Sequence, residues 1–232
     1  MKKLLALCLL MVCASPALAT VYTDATGDLN DGTTGDNFTG FPHLDFAQLE
    51  ITNTATDITF EFTLVGDIAA TNWGKYMIHI DSVAGGDTAG NGWGRPIDMP
   101  SGADYWIGTW ADGGPTDGGE LYDYTGTWNL LDATYNPAPD NEITISKGQF
   151  NLAVTVPLAN MGLGIGDSFE FDAYSSGGGG TDGAIDSLGN PNVNVTTWGE
   201  QSSAHPQTYT VVPEPATLCL LALGGLALIR RR

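Results

Sequence analysis

The sequence predicts an all-β protein whose main domain, residues 20–211, is a single antiparallel β-sandwich of jelly-roll-like form. Two observations predict this fold class. Apolar residues recur with a period of two in one segment after another, as in Ile58–Leu64 (ITFEFTL), and this is the period of a strand with one buried face. Clusters of Gly or Asp-Gly interrupt every segment, and no stretch of the domain has the 3.6-residue period of an amphipathic helix.

Alternation and turn residues predict nine or ten strands in this domain. The first two are expected to be adjacent and antiparallel, because Asn53–Asp57 between them is a loop of hairpin length. In the third, even-numbered residues 76–80 face one side, whereas Met77 and His79 face the other. Leu158–Gly162 is expected to form a single helical turn. The predicted strands are Phe46–Thr52, Ile58–Leu64, Lys75–Asp81, Ala103–Trp110, Glu120–Tyr124, Gly126–Leu130, Glu142–Ser146, Phe150–Val156, Ser168–Ser175 and Gln207–Val211.

The first nineteen residues have the pattern of a secretory signal peptide. Lys2-Lys3 supplies a positive start, and Leu4–Val12 supplies a short apolar run that is expected to be helical. Ala17 and Ala19 form an A-x-A cleavage site, so the mature protein is expected to begin at Thr20. The domain that follows is therefore predicted to be exported.

The last twenty-one residues, 212–232, form a second targeting pattern of three parts. Val212-Pro213-Glu214-Pro215 comes first, Ala216–Ile229 has no charged residue, and Arg230-Arg231-Arg232 ends the chain. A helix over residues 216–229 spans about 21 Å at about 1.5 Å per residue, against a hydrocarbon core of about 30 Å. The tail is thus a short transmembrane helix with a cationic stop, and marginal as a permanent anchor.

The order of these three parts resembles the PEP-CTERM sorting signal of Gram-negative bacteria. This resemblance implies an exosortase-type processing enzyme as a partner, with cleavage near the PEP sequence. It also implies export through the inner membrane, transient anchoring there, and delivery to the cell surface or an extracellular polysaccharide matrix. It implies no biochemical activity, and an ordinary C-terminal membrane anchor remains the alternative.

Composition restricts the partners of the exported domain. Three basic residues stand against twenty-six acidic ones between residues 20 and 211, which gives a formal charge of −23. Nucleic acid and anionic membrane surfaces are excluded by repulsion, whereas a neutral polymer or a cation is compatible with this charge. The three cysteines lie outside the domain, at Cys8, Cys13 and Cys219, so the domain has neither disulfides nor thiolate ligands.

Several short motifs follow one another along the domain. They are Asp24-x-x-Gly27-Asp28, Asp45 before a strand, Ile80-Asp81, Asp104-x-x-Ile107, and Phe150–Val156 followed by Pro157-Leu158 and Met161-Gly162. Their order resembles the family 9 carbohydrate-binding module or a DOMON-like sandwich. The resemblance implies a jelly-roll-like sandwich that binds sugars in some relatives and haem in others.

Tryptophans in polar loops are candidate sugar-binding residues, because flat aromatic faces stack on the C–H surfaces of pyranose rings. Trp73 and Trp93 flank the Lys75–Asp81 strand and have Gly neighbours, so we expect them to form a cleft near Arg95. Trp106 and Trp110 are expected to share one strand face. The alternative is that most of the six tryptophans belong to the core.

Acidic loops are candidate calcium sites, because Ca²⁺ prefers carboxylate and carbonyl oxygens. The loop that contains Asp24, Asp28, Asp31 and Asp36 is the first candidate for a structural calcium. Asx-turns that stabilise the loop explain the same residues without a metal. The pairs Asp81 with Asp87 and Asp182 with Asp186 are further acidic clusters.

Catalysis has less support in the sequence. The three histidines show no zinc spacing, and no nucleophile elbow is present, so we expect no enzyme activity and no catalytic residues. Two alternatives stay open, a purely structural matrix protein and a glycan hydrolase that uses two of Asp81, Asp104, Glu120 and Asp123. The DOMON-like resemblance would also allow haem ligation by Met77 or His79, which as ordinary strand residues need no ligand.

Overall fold

Alternating strands organise this chain into two antiparallel sheets. The computed structural model describes residues 19–29, 40–71, 73–112, 117–189, 201–202 and 205–213. Fourteen strands and one short 3₁₀ turn, Leu158–Met161, lie within these ranges. The strands are β1 (Thr20–Thr23), β2 (Phe46–Asn53), β3 (Asp57–Leu64), β4 (Lys75–Asp81), β5 (Ile97–Asp98), β6 (Tyr105–Trp110), β7 (Gly118–Tyr124), β8 (Trp128–Ala133), β9 (Thr144–Lys147), β10 (Asn151–Pro157), β11 (Ser168–Ser176), β12 (Ala184–Ser187), β13 (Gln201–Ser202) and β14 (Gln207–Thr210).

The two sheets form a sandwich-like arrangement. The smaller has the order β1-β2-β3-β10-β9, and the larger has the order β12-β11-β4-β6-β7-β8, with β14 also paired to β11. A minor parallel pair joins β5 and β13. The predicted hairpin is confirmed, because β2 and β3 are antiparallel neighbours in which Leu49 lies opposite Phe62.

The main hydrophobic core lies between the sheets. Phe60 and Phe62 of β3 contribute from the smaller sheet, and Tyr76, Ile78 and Ile80 of β4 contribute from the larger one. Each of these side chains is at most 1 % exposed. Burying an aliphatic or aromatic side chain stabilises the fold by about 1.5–3 kcal/mol, so the alternation of β3 and β4 suffices to orient both sheets.

A second, smaller core covers the outer face of the larger sheet. Met77, Trp106 and Tyr174 project from that face and pack against Ile97 and Ala184. The predicted two-sided character of β4 is therefore confirmed, with Met77 on the face opposite to Tyr76. The segment 82–102 lies over this face, and its backbone is fastened there by paired hydrogen bonds between Asp87 and Ala103.

The strands of the all-β prediction are confirmed, with ends that differ by at most three residues. Alternation did not predict β1, β5, β12 or β13, because two to four residues are too short to display a period. The predicted helical turn is the 3₁₀ turn, which ends at Gly162 in the left-handed conformation with a φ of 62°. The predicted helices of the signal peptide and of the tail, residues 4–12 and 216–229, lie outside the described residues. Within the described ranges, no helix is long and apolar enough to cross a membrane.

Candidate functional site

An open cleft lies on the outer face of the larger sheet, beside the smaller core. Its volume is about 440 Å³. β4, β6 and β7 provide its floor, and the segment 82–102 provides one wall. We call it the aromatic cleft, and its principal lining residues are Lys75, Trp93, Trp110, Asp112, Glu120 and Tyr122.

Glycines in the sheet allow two indole rings to lie against its backbone. A Cβ atom at Gly108 of β6 would lie 2.3 Å from the Cζ2 atom of Trp93, and one at Gly118 of β7 would lie 2.4 Å from the Cζ2 atom of Trp110. The ring centroids of Trp93 and Trp110 are 6.3 Å apart, with an interplanar angle of 42°. The two indoles therefore form one continuous aromatic surface, and its position depends on glycine at residues 108 and 118.

Glu120 is held in a fixed orientation in this cleft by three donors. Its Oε2 accepts hydrogen bonds from the Nε1 of Trp93 at 2.6 Å and from the hydroxyl of Tyr122 at 3.0 Å. Its Oε1 accepts one from the hydroxyl of Tyr135 at 2.5 Å. This hydrogen bond raises the pKa of Tyr135 to about 12, so the tyrosine stays a donor at neutral pH.

Two basic residues complete the cleft in different ways. Lys75 forms an ion pair with Asp112, with 2.7 Å between Nζ and Oδ1. Arg95 is only 6 % exposed, and its Nη1 donates to the Oγ of Ser176 at 2.8 Å. The Arg95 guanidinium carbon lies 5.4 Å from the centroid of the Trp93 ring, within cation–π range. Arg95 therefore packs against the ring of Trp93 and stabilises its position.

The structure brings Trp93 and Arg95 together, as the sequence predicts, but it places Trp73 elsewhere. The ring of Trp73 packs edge-on against Phe41 and His43, at centroid distances of 5.2 and 4.5 Å. These residues line a separate depression, on the side of the larger sheet that faces the main core. The physical reason is that Trp73 precedes β4 with its side chain turned toward the smaller sheet.

The sequence patterns predict no role in the cleft for Lys75, Tyr122 or Tyr135. They indicate Glu120 only as a candidate catalytic acid. One signal was available for two of them, because Glu120 and Tyr122 are two apart on a strand and must share a face. Trp106 and Trp110 do share a face, since both rings contact Trp93. Trp106 is fully buried, whereas Trp110 reaches the cleft.

A second constellation, the aspartate cluster, lies at one edge of the sandwich and consists of Asp24, Asp28, Asp45 and Asp186. Carboxylate oxygens of Asp28, Asp45 and Asp186 all lie within 4.8 Å of one another. Burial, followed by the charge of Asp28, raises the pKa of Asp24 to about 7. Burial, followed by the charge of Asp24, raises the pKa of Asp186 well above its usual range.

This cluster contains two of the four predicted calcium ligands, Asp24 and Asp28. Asp31 and Asp36 lie outside the described residues. Asp45 and Asp186 complete the cluster instead, although they are far apart in the sequence. Of the acidic pair Asp182 and Asp186, only Asp186, which lies on β12, belongs to the cluster. Nothing in the local sequence spacing connects Asp186 with the loop that contains Asp24.

The other acids that the sequence offers for catalysis or for a further acidic cluster lie outside both the aromatic cleft and the aspartate cluster. Asp104 accepts hydrogen bonds from the backbone N–H groups of Ser82 and Val83, at 2.7 and 2.8 Å. Asp87 accepts one from the Nε1 of Trp128 at 2.8 Å. Burial raises the pKa of Asp81 to about 6, and neighbouring Asp104 adds to this effect. Asp123 accepts from the side-chain amide of Asn129 at 3.2 Å.

The residue that begins the predicted sorting signal is docked on the sandwich. The backbone N–H of Val212 donates to the Oδ1 of Asn53, and its carbonyl accepts from the Nδ2 of the same residue. Val211 is fully buried. Ala19 at the predicted cleavage site is exposed and Pro213 is half-buried, whereas Ala17 and the remaining signal residues, Glu214, Pro215, Arg230, Arg231 and Arg232, lie outside the described residues.

Comparison with known families bears on this tail. Residues 211–232 match the family model of the PEP-CTERM protein-sorting motif. The tail is a PEP-CTERM sorting motif. Such a motif marks the chain as an exosortase-sorted surface or extracellular protein that is exported and transiently anchored through its C-terminus. No curated protein matches the chain, and the resemblance to family 9 carbohydrate-binding modules or DOMON-like domains stays a prediction.

Proposed function

We propose that the exported domain is a non-enzymatic carbohydrate-binding module that holds the protein on surface or matrix polysaccharide through the aromatic cleft. The observation that carries the proposal is the continuous surface of Trp93 and Trp110 beside the oriented carboxylate of Glu120. An open cleft of this kind on a rigid sheet can receive a polymer chain without an opening movement.

The chemistry of the cleft suits a sugar. The indole faces offer apolar area for the C–H surface of a pyranose ring. Glu120 offers a hydroxyl acceptor, because Oε1 receives one hydrogen bond and a carboxylate oxygen has about two lone-pair sites. The ion pair of Lys75 and Asp112 adds a donor and an acceptor at the rim.

Charge narrows the class of glycan. The exported domain carries a formal charge of −23, so long-range repulsion disfavours uronate-rich or sulfated polymers. A neutral hexose polymer is therefore the expected ligand.

The hydrogen bonding of the acids supports binding rather than hydrolysis. Three donors fix Glu120, and two backbone N–H groups engage one oxygen of Asp104. Carboxylates that accept several hydrogen bonds from the fold are held as acceptors, which suits the binding of sugar hydroxyls. The hydrolase alternative predicts release of reducing ends from a bound polysaccharide, and the proposal predicts none.

Affinity gel electrophoresis in neutral polysaccharides tests the proposal directly. We expect the wild-type protein to be retarded, and Trp110→Ala and Glu120→Gln to weaken binding by at least about tenfold, or about 1.4 kcal/mol. Trp73→Ala is the matched control, because it removes the same side chain from the separate depression. Melting curves establish that each variant folds.

Two results would count against this function. If folded wild-type protein migrates freely through every neutral polysaccharide tested, the domain is a structural scaffold. If Trp73→Ala weakens retention as much as Trp110→Ala does, the binding surface lies outside the aromatic cleft.

A further inference from the structure

We propose that the aspartate cluster is a structural Ca²⁺ site that fastens the N-terminal segment to both sheets. The cluster is independent of the aromatic cleft, so this inference does not rest on carbohydrate binding. Asp24 and Asp28 follow β1, Asp45 precedes β2 in the same sheet, and Asp186 lies on β12 at the edge of the other sheet.

Hydrogen bonds from backbone N–H groups to the aspartate side chains already join these segments. The N–H of Phe46 donates to the Oδ2 of Asp186 across the two sheets at 2.9 Å, and the N–H of Gly27 donates to the Oδ2 of Asp45 at 2.8 Å. The geometry of the carboxylates is thus set by the fold.

Three oxygens of the cluster are buried and have no hydrogen-bond donor among the residues that the structure describes. They are the Oδ2 of Asp24, the Oδ1 of Asp28 and the Oδ1 of Asp45. Asp45 as a residue is only 4 % exposed, so water does not solvate its second oxygen freely. A buried carboxylate oxygen without a partner is strongly destabilising unless a cation or a proton neutralises it.

No basic side chain of the exported domain provides that neutralisation. Lys75 is paired with Asp112, Lys147 is paired with Asp117, and Arg95 is buried against Ser176 and the carbonyl of Asp182. These three are the only lysines and arginines between residues 20 and 211. Four carboxyl groups therefore converge without a counter-charge from their own domain.

The donor set favours calcium over magnesium. Ca²⁺ takes six to eight oxygen ligands at about 2.3–2.6 Å in a flexible geometry, and carboxylates and backbone carbonyls suit it. One carboxylate oxygen from each of Asp28, Asp45 and Asp186 lies within 4.8 Å of the other two, close enough for all three to bind one Ca²⁺. Mg²⁺ demands a near-ideal octahedron at about 2.0–2.1 Å and usually keeps several waters, so a cage of protein carboxylates suits it less.

A bound ion would tie the segment after β1 to the rest of the fold. This segment carries Asp24 and Asp28, and it also contains Leu29, which is 2 % exposed and packs in the main core. An ion at the cluster would join this segment to β2 and β12. Extracellular calcium modules have dissociation constants of about 10⁻⁴–10⁻³ M, a range that suits an exported protein.

The test is thermal unfolding of the purified exported protein with CaCl₂, MgCl₂ or EDTA. A ligand present at about 100 times its dissociation constant should raise the unfolding midpoint by about 5–10 °C for a domain of this size. With 10 mM CaCl₂ we expect this increase for a dissociation constant of about 10⁻⁴ M and about half of it for about 10⁻³ M, and a much smaller increase with MgCl₂.

Asp28→Asn and Asp45→Asn are the decisive variants, and Asp140→Asn, an exposed aspartate outside the cluster, is the matched control. The first two should reduce calcium affinity at least about tenfold, and Asp28→Asn, whose side chain is only half-buried, should remain folded in EDTA. The control should respond to calcium as the wild type does. An unchanged wild-type midpoint in 10 mM CaCl₂, or an equal shift in Asp28→Asn, would overturn the proposal. An equal shift with MgCl₂ would overturn the assignment of calcium.

Discussion

At the scale of single residues, His79 shows how the outer face of the larger sheet tolerates a polar group. It is fully buried, and its ring packs against Trp106 and Tyr174 at centroid distances of 4.6 and 5.5 Å. Its Nδ1 lies 3.3 Å from the hydroxyl of Tyr174. Burial lowers the pKa of His79 to about 3, and the charge of Asp87 opposes this effect only in part. The histidine is therefore neutral in the folded protein at all moderate pH values.

This pKa predicts a loss of stability in acid. Below about pH 6.5 the unfolded chain binds a proton at His79, whereas the folded protein does not until about pH 3. The free energy of unfolding should fall with decreasing pH across this window, by up to about 1.4 kcal/mol per pH unit from this residue. Urea unfolding of the wild type and of His79→Gln between pH 7 and pH 4 measures the difference. Parallel pH profiles for the two proteins would contradict the prediction.

At the scale of elements, the segment 82–102 and the strand β6 are matched by shape. Trp93 lies over Gly108, where the absence of a side chain leaves room for the ring. The Arg95 guanidinium carbon lies 5.4 Å from the ring centroid, and Glu120 accepts a hydrogen bond from the indole nitrogen. The wall of the aromatic cleft thus depends on a glycine in the middle of a strand, where glycine is otherwise unfavourable.

Gly108→Ala should displace Trp93 and loosen this segment. Overpacking of this kind costs about 1–3 kcal/mol, so the free energy of unfolding in urea should decrease by that amount, and the indole fluorescence should shift as Trp93 becomes more exposed. Gly164→Ala is the control, because a Cβ atom there meets only the side chain of Asp167 at 3.7 Å. Equal stability of the two variants would show that the ring does not need the space above Gly108.

At the scale of the whole molecule, the chain divides into a strongly acidic exported domain and two short basic ends. The lysines at the start and the arginines at the end provide five of the eight basic residues. The exported domain therefore has little attraction for an anionic membrane surface. Its last residues are fastened at Asn53, so the PEP-CTERM motif begins directly beside the folded sandwich.

A sorting motif of this kind predicts a processed surface form. Mass spectrometry of the protein recovered from the cell surface should find a C-terminus near Pro215 and no peptide with Arg230–Arg232. Replacement of Pro213, Glu214 and Pro215 by alanine should leave the tail intact and the protein in the membrane fraction. An intact tail on the wild-type surface form would favour a permanent anchor.

Local patterns predicted the elements better than the sites. The β2–β3 hairpin and both faces of β4 follow from alternation, since burial of one face imposes a period of two on the sequence. Trp93 and Arg95 are only two residues apart in the sequence, so a shared site for them was predictable. Trp73 was predicted to line the same cleft, but its side chain lies on the other side of the sheet. The side on which it lies depends on the backbone conformation just before β4.

The sequence alone determined the all-β class, the strand faces and the export route, because each is written in contiguous residues that a period or a motif can reveal. Only the tertiary structure decided the two constellations. The aromatic cleft joins a loop to three strands, and the aspartate cluster joins Asp24 to Asp186 across more than half of the chain. Such contacts depend on which strands become neighbours, and strand order is set by the packing of the whole core rather than by any local pattern.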